Sequence, residues 1–282
     1  PDYYANSYNI EIKNSRFTDS CFAFARRDYW TQQAGIIMDY KNSTGPSGFN
    51  YHLNIHSCTL SAFWSGIYTS GESTVVNIYD NMITTDARND LQAETTGSTF
   101  TTATECYAIA IHDGSNEADE GARVKVYNNK IRSGENWAGG RGIFIVSNKG
   151  MSLTNTDSCV WISNNDIVVH QGYDGNNDNC NGIIVRESWR NVWIEDNDIT
   201  VVCDTATATT SYGMQASGLR LSGIADVDTG LIVTGNHIIA RYSGDWSTTP
   251  DYGLTGNFAA ALVFDCFGGI TSVRIDSNYF GS

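Results

Sequence analysis

A short pattern of apolar and polar positions recurs along the chain. It reads apolar, any residue, apolar, two residues, a corner position, any residue, apolar, and it occurs eight times. Six of the eight copies carry asparagine at the corner position. The copies are Ile10/Ile12/Ser15/Phe17, Leu53/Ile55/Cys58/Leu60, Val76/Ile78/Asn81/Ile83, Val124/Val126/Asn129/Ile131, Val160/Ile162/Asn165/Ile167, Val192/Ile194/Asn197/Ile199, Leu231/Val233/Asn236/Ile238 and Val273/Ile275/Asn278/Phe280. The period-2 alternation on each side of the corner predicts two short strands joined by a tight turn.

A second series of apolar alternations lies between these motifs. Each copy starts with a small residue, and each falls after one corner motif and before the next. The copies are "GIIM" at 35, "GIY" at 66, "AIAI" at 108, "GIFI" at 142, "GIIV" at 182, "GLRL" at 218 and "ALVF" at 261. This series adds a third predicted strand to each repeat.

The spacing of the repeats predicts a solenoid. Successive anchors of the corner motif lie 23 to 48 residues apart, so the smallest repeat has 23 residues and the others carry inserted loops. Three short strands per repeat with no helix between them predict an all-β parallel β-helix of about eight coils, stacked at roughly 4.8 Å. We expect one domain over residues 1–282, and we expect it to be part of a longer chain, because neither end shows an amphipathic capping segment.

The corner asparagines have a structural explanation. A side-chain amide at a buried turn can both donate and accept hydrogen bonds along the stack, to backbone groups and to the equivalent amide one coil away. With these motifs the chain resembles the single-stranded right-handed parallel β-helix proteins of the pectin-lyase-like superfamily, over almost its whole length. The resemblance implies that the Gly-Ile series forms the first strand of each coil and that its outer face lines a glycan groove. The superfamily includes lyases, hydrolases, epimerases, tailspikes and adhesins.

The composition of the chain disfavours several classes of function. The formal charge of −14 with 17 Lys plus Arg disfavours binding to nucleic acid, which needs clustered cations. No apolar run is long enough to span a membrane. The seven cysteines show no metal-binding spacing, although Cys180 and Cys203 lie in successive predicted loops and are candidates for a disulfide.

Candidate catalytic residues lie where the Gly-Ile strands end. Long predicted loops flank these strands on both sides and would wall a groove along their outer face. His112 and Asp113 belong to one coil, and Arg186 and Glu187 belong to a coil two steps further on, about 10 Å away. That distance is near the separation of roughly 6.5 to 9.5 Å between the two carboxyl groups of inverting glycosidases. We therefore assign catalysis to Asp113 and Glu187, assisted by His112 and Arg186.

Further residues are predicted to contact the substrate or a cation. The substrate-binding candidates are Asp39, Arg220, Asp265, Trp137 and Trp246. Two loops rich in oxygen ligands are candidate calcium sites, with Asp113, Asp119 and Glu120 in one and Asp174, Asn176 and Asp178 in the other. Aromatic residues also recur on the second strands, at Tyr79 and Tyr127 and at Trp161 and Trp193, where packing is favoured over sugar binding.

The sequence thus predicts an extracellular or cell- or virion-surface protein that cleaves a polysaccharide, with hydrolysis favoured over elimination. In a lyase, Arg186, Arg220 or His112 would act beside a uronate carboxylate instead. The Asp-Asp and Gly-His-Gly motifs of polygalacturonases and the Arg-x-Pro-x-x-Arg motif of pectate lyases are missing. Two alternatives remain open: a glycan-binding spike without catalysis, and a structural segment of a larger surface protein, with homo-oligomerisation or the rest of a longer chain at the open ends.

Overall fold

The protein is described by a computed structural model. It describes residues 8–18, 34–39, 51–62, 65–71, 73–85, 106–113, 123–134, 140–147, 159–171, 179–186, 191–203, 215–222, 230–242, 258–265 and 272–281. Within these residues all regular structure is β-strand, arranged in three sheets of eight, eight and seven strands. Every strand pair is parallel, and the predicted parallel β-helix is confirmed.

Sheet A contains the strands that precede the corner residues. It comprises β1 (Tyr8–Lys13), β4 (Tyr51–His56), β7 (Ser73–Tyr79), β10 (Arg123–Tyr127), β13 (Cys159–Ser163), β16 (Asn191–Glu195), β19 (Gly230–Thr234) and β22 (Ser272–Asp276). Sheet B contains the strands that follow the corners. It comprises β2 (Arg16–Thr18), β5 (Thr59–Ala62), β8 (Met82–Thr85), β11 (Lys130–Ser133), β14 (Asp166–Gln171), β17 (Asp198–Cys203), β20 (His237–Tyr242) and β23 (Tyr279–Gly281).

Sheet C contains the Gly-Ile strands. It comprises β3 (Ala34–Asp39), β6 (Ser65–Gly71), β9 (Cys106–Asp113), β12 (Gly140–Ser147), β15 (Asn179–Arg186), β18 (Gln215–Ser222) and β21 (Phe258–Asp265). Strands of the three sheets alternate along the chain in a constant order. Each strand pairs with its equivalent in the next repeat, as the sequence repeat predicts.

The register between repeats follows the hydrophobic pattern. Ile12 pairs with Ile55 in sheet A, and the remaining anchors pair in the same way up to Ile275. Because strand side chains alternate between faces, this register stacks the apolar residues inside the solenoid. The resulting core is one continuous cluster through most of the described repeats and consists mainly of Ile, Val and Leu.

The turn between sheets A and B has a fixed backbone conformation. The residue before each corner position has φ between 51° and 67°, and these residues are Asn14, Ser57, Asp80, Asn128, Asn164, Asp196, Gly235 and Ser277. This left-handed region is most accessible to Gly, Asn and Asp, which occupy six of the eight positions. The positive φ required by the turn thus explains why Gly, Asn and Asp predominate before the corner position.

The corner asparagines form a continuous ladder inside the turn. Asn165 is typical: its Oδ1 accepts from the backbone N–H and from Nδ2 of Asn129, both at 3.0 Å. Its own Nδ2 donates to Oδ1 of Asn197 and to the Val126 carbonyl, both at 2.9 Å. The same bonds repeat from Asn81 to Asn278, so the structural explanation is confirmed.

The glycines of the Gly-Ile strands permit close packing between sheets C and B. A Cβ on Gly182 would lie 2.3 Å from Cγ2 of Ile199 and 2.5 Å from the Gly218 carbonyl oxygen. Such distances are far below van der Waals contact. The small residue at the start of each Gly-Ile motif therefore sets how closely the two sheets approach.

The cysteine predictions have mixed outcomes. Cys58 occupies a corner position in the repeat pattern and is buried in the core. Cys180 and Cys203 are also buried in the core, but both are thiols rather than halves of a disulfide, and the candidate pairing is wrong. The Sγ of Cys180 lies 3.8 Å from the Val202 carbonyl oxygen. Both residues belong to strands rather than to loops, so they fill core positions.

Candidate functional site

Three of the four predicted catalytic residues, His112, Asp113 and Arg186, lie at the carboxyl ends of strands in sheet C. Val146 of β12 pairs with His112 of β9 on one side and with Arg186 of β15 on the other. His112 and Arg186 are therefore two strands apart at the same height, about 9.6 Å from the strand spacing. Asp113 follows His112 as the last residue of β9 and pairs with Ser147. The sequence-based spacing of the two coils is thus confirmed at the level of the backbone.

Other predicted site residues are distributed as follows. Asp39 ends β3 and Asp265 ends β21, in the same register file as His112 and Arg186. For Asp39, His112, Asp113 and Asp265 the structure describes the backbone only. Eight other candidates lie outside the described residues: Glu187, Trp137, Trp246, Asp119, Glu120, Asp174, Asn176 and Asp178.

Two arginines share the outer face of sheet C near this edge. Arg186 is exposed, and it pairs with Ser222 of the neighbouring strand β18. Arg220 lies two residues before Ser222 and is half-buried. The strand spacing and rise place the two Cα atoms about 8 Å apart. Two arginine side chains whose Cα atoms are this far apart on one face of a sheet can both reach the same carboxylate or sulfate.

The centre of the outer face of sheet C differs from the expected groove. Ala110, Phe144 and Ile184 point away from the solenoid core in register on β9, β12 and β15, yet all three are buried. They form a second apolar cluster with Tyr107 and Val146, separate from the main core. The expected groove therefore has no exposed floor at these positions. Strand alternation identified the outward face, but it carries no information about what buries that face.

Arg141 packs against two rings of this second cluster, and the sequence pattern did not predict this contact. Its side chain is buried, and its guanidinium carbon lies 5.2 Å from the centre of the Tyr107 ring and 5.4 Å from that of Phe144. Its Nη1 donates to the Tyr107 hydroxyl at 3.1 Å. The sequence offered one indication of this contact: Arg141 aligns with the small polar residue Asn181 in the next strand, so a long cationic side chain replaces a short amide there. Burial against two aromatic rings gives Arg141 a packing role.

The aromatic residues on the outside of sheet A stack on one another. The rings of Tyr79 and Tyr127 are parallel with centroids 4.9 Å apart, and His56 stacks on Tyr79 at 4.6 Å. The next contact joins Tyr127 and Trp161 at 5.9 Å. Since their faces are covered by neighbouring rings, these tyrosines cannot offer those faces to a sugar ring. Burial, followed by the nearby Tyr79, raises the pKa of Tyr127 above its ordinary value.

Ionisable groups also interact near the two ends of the solenoid. In β1, a hydrogen bond from Lys13 and then one from His56 lower the pKa of Glu11, and Glu11 raises the pKa of Lys13. In β22, a hydrogen bond from the Thr234 hydroxyl and then the guanidinium of Arg274 lower the pKa of Asp276. These carboxylates are solvated partners of local cations, and their position on sheet A separates them from the candidate edge of sheet C.

Within the described strands and turns, no group of three or more His, Cys, Asp or Glu side chains is arranged to hold a metal ion. Both predicted calcium loops lie outside this part of the chain, except for the backbone of Asp113. The same described residues contain no helix long and apolar enough to cross a membrane.

The described geometry defines the class of the protein as a parallel β-helix solenoid with a polar edge on sheet C. Comparisons with models of protein families, with curated proteins and with solved structures found no match to this chain.

Proposed function

We propose that this chain is an extracellular, carbohydrate-active β-helix of the pectin-lyase-like type that cleaves a polysaccharide over the Gly-Ile strands. The observation that supports this most is the register of sheet C, which places the ends of β9 and β15, at Asp113 and Arg186, on either side of β12 and therefore two strand spacings apart. Glu187 follows Arg186 directly in the sequence. In inverting glycosidases, two carboxyl groups roughly 6.5 to 9.5 Å apart leave room for a water molecule beside the glycosidic bond.

The chemistry assigned to these residues is hydrolysis with inversion. One of the two carboxyl groups protonates the departing glycosidic oxygen, and the other activates a water molecule on the opposite face of the sugar. Arg186 and Arg220 would bind acidic groups of the substrate. Their charge matters because a chain of formal charge −14 repels polyanions elsewhere on its surface.

A glycan-binding or adhesive protein without catalysis is the second candidate. It is favoured by the buried outward residues Ala110, Phe144 and Ile184, which leave less open surface over sheet C than a long cleft requires. In that case Arg186 and Arg220 would contribute to binding, and Asp113 and Glu187 would be solvated surface groups.

Digestion of a panel of neutral and acidic polysaccharides, with and without calcium, distinguishes these functions. We expect new reducing ends without ultraviolet absorbance, since hydrolysis creates no double bond. The Asp113→Asn and Glu187→Gln variants should each lose about 100- to 10,000-fold in rate, as is usual when an acid or base is removed. Asp80→Asn is the matched control, because Asp80 is exposed on a turn where Asn128 occupies the equivalent position.

Other outcomes would redirect the assignment. Products that absorb in the ultraviolet would indicate a lyase and move attention to Arg186, Arg220 and His112. Binding to a glycan without any cleavage would support the adhesive function. Cleavage that survives in both carboxylate variants would refute the roles given to Asp113 and Glu187.

A further inference from the structure

A stack of four aromatic rings crosses four neighbouring strands on the outside of sheet A. The rings belong to His56 of β4, Tyr79 of β7, Tyr127 of β10 and Trp161 of β13. The two central rings are both tyrosines, and their planes are parallel with centroids 4.9 Å apart. Neither the main core nor the proposed site on sheet C involves these two phenol groups.

The backbone holds the two tyrosines next to each other. Tyr127 pairs directly with Tyr79 in the parallel ladder between β10 and β7. Each is the last residue of its strand, and the residues that follow, Asp80 and Asn128, adopt nearly the same φ of 55° and 56°. Because neighbouring strands lie about 4.8 Å apart, the two rings stack at one strand spacing without leaving the register of the sheet.

The surroundings of the pair leave it partly exposed but cover its outer ring faces. Both tyrosines are half-buried, on the face of sheet A that points away from the main core. His56 stacks on Tyr79 at 4.6 Å, and Trp161 stacks on Tyr127 at 5.9 Å, in the order of their strands. A tyrosine ring of another molecule therefore has less access to these ring faces than the two tyrosines have to each other.

We propose that Tyr79 and Tyr127 are a site of oxidative modification, at which a haem peroxidase with hydrogen peroxide joins the two rings into a dityrosine within one chain. Each phenol gives up one electron and one proton and becomes a phenoxyl radical. The peroxide takes up the two electrons and the two protons and becomes two water molecules. A small oxidant or radical can reach the pair because both side chains are partly exposed.

The two radicals then combine. One carbon–carbon bond forms between the ring positions next to the two hydroxyl groups, and each of these carbons loses its hydrogen as a proton to the oxygen of its own ring. The product is two hydrogen atoms lighter than the unmodified chain. Parallel rings 4.9 Å apart already lie side by side, so the coupling needs rotation of side-chain bonds but no change of backbone register.

The new bond would tie two successive repeats together. Tyr79 and Tyr127 are separated along the chain by β8 and β9, so the bond closes a long covalent loop. A cross-link of this kind lowers the entropy of the unfolded chain and thereby favours the folded state. The cross-linked protein should therefore unfold at a higher urea concentration than the unmodified protein.

The test treats the full chain, at low protein concentration, with a haem peroxidase and hydrogen peroxide. Mass spectrometry of the intact product should show one chain less two hydrogens, and a digest should contain a cross-linked pair of peptides bearing Tyr79 and Tyr127. Tyr79→Phe and Tyr127→Phe keep an aromatic ring in the stack, and each should abolish this cross-link. Tyr279→Phe is the matched control and should leave its yield unchanged, because Tyr279 is 58% exposed but stacks on His237 instead of on a tyrosine.

A parallel reaction in urea, at a concentration that unfolds the chain, shows whether the fold directs the coupling. The link between Tyr79 and Tyr127 should be lost in the unfolded chain. The proposal is overturned if the native chain does not form this bond, if the bond forms in the same yield after unfolding, or if oxidation joins tyrosines of different chains instead. An unchanged urea midpoint of the cross-linked product would refute its stabilising effect.

Discussion

Replacing Asn165 with alanine tests whether the asparagine ladder stabilises the solenoid. Asn165 lies in the middle of the ladder and is buried. Its amide makes four hydrogen bonds, two accepted from Asn129 and two donated to Asn197 and Val126. Alanine removes all four and leaves a space of about one amide group at the corner.

The expected cost follows from the partners that are left behind. The backbone N–H of Asn129 loses the bond to the Asn165 Oδ1, and a buried donor without an acceptor costs about 1–3 kcal/mol. The Asn129 Nδ2 keeps bonds to the Ile78 and Tyr127 carbonyls, and Asn197 Oδ1 still accepts from the Asn165 backbone. These groups add only about 0.5–1 kcal/mol each. The total is about 3 kcal/mol.

Urea unfolding followed by circular dichroism measures this cost. Asn164→Asp is the matched control, because Asn164 is the exposed neighbour with φ of 53° and Asp196 adopts the same φ one repeat later. We expect this control to change stability by no more than about 0.5 kcal/mol. Hydrogen exchange gives a local readout: the Asn129 N–H should exchange faster in the alanine variant. A loss below about 1 kcal/mol together with unchanged protection of that N–H would refute the reasoning.

Two further predictions concern packing and pH. Gly182→Ala should destabilise the protein by about 1–3 kcal/mol, because its Cβ has no room between sheets C and B. The control Gly230→Ala should cost less in the same unfolding assay, since the nearest atom to its Cβ is 3.2 Å away, on a side chain. Because Thr234 and then Arg274 lower the pKa of Asp276, this carboxylate contributes stability above its ordinary pKa of 3.8, and the contribution is lost as pH falls through the lower folded value. Asp276→Asn should flatten that part of the acid unfolding profile, and an unchanged profile would contradict the assignment.

The sequence was sufficient to predict the fold because each repeat contains the local pattern that specifies its strands and its turn. Period-2 alternation marks both strands beside Asn129, and the residue before it has a type that tolerates positive φ. Since neighbouring repeats stack in register, the same local pattern also determines which residues meet across the sheets. The spacing of His112 and Arg186 follows from this regularity.

The sequence was less informative about the candidate site. Alternation placed Phe144 and Ile184 on the outer face of sheet C, where an exposed groove was expected, but both are buried. Alternation also did not predict the burial of Arg141, whose guanidinium packs against the Tyr107 and Phe144 rings. Alternation defines a face of a strand, whereas burial of that face depends on residues distant in the sequence.

The sequence by itself determined the solenoid, its ladder of asparagines and the faces of its strands, because these depend on patterns within a few residues and on their repetition. Only the tertiary structure decided which outward faces are covered, such as that of Phe144, and which rings stack face to face. The physical reason is that a side chain's solvent exposure is a property of all the atoms around it, and a local pattern specifies only its direction.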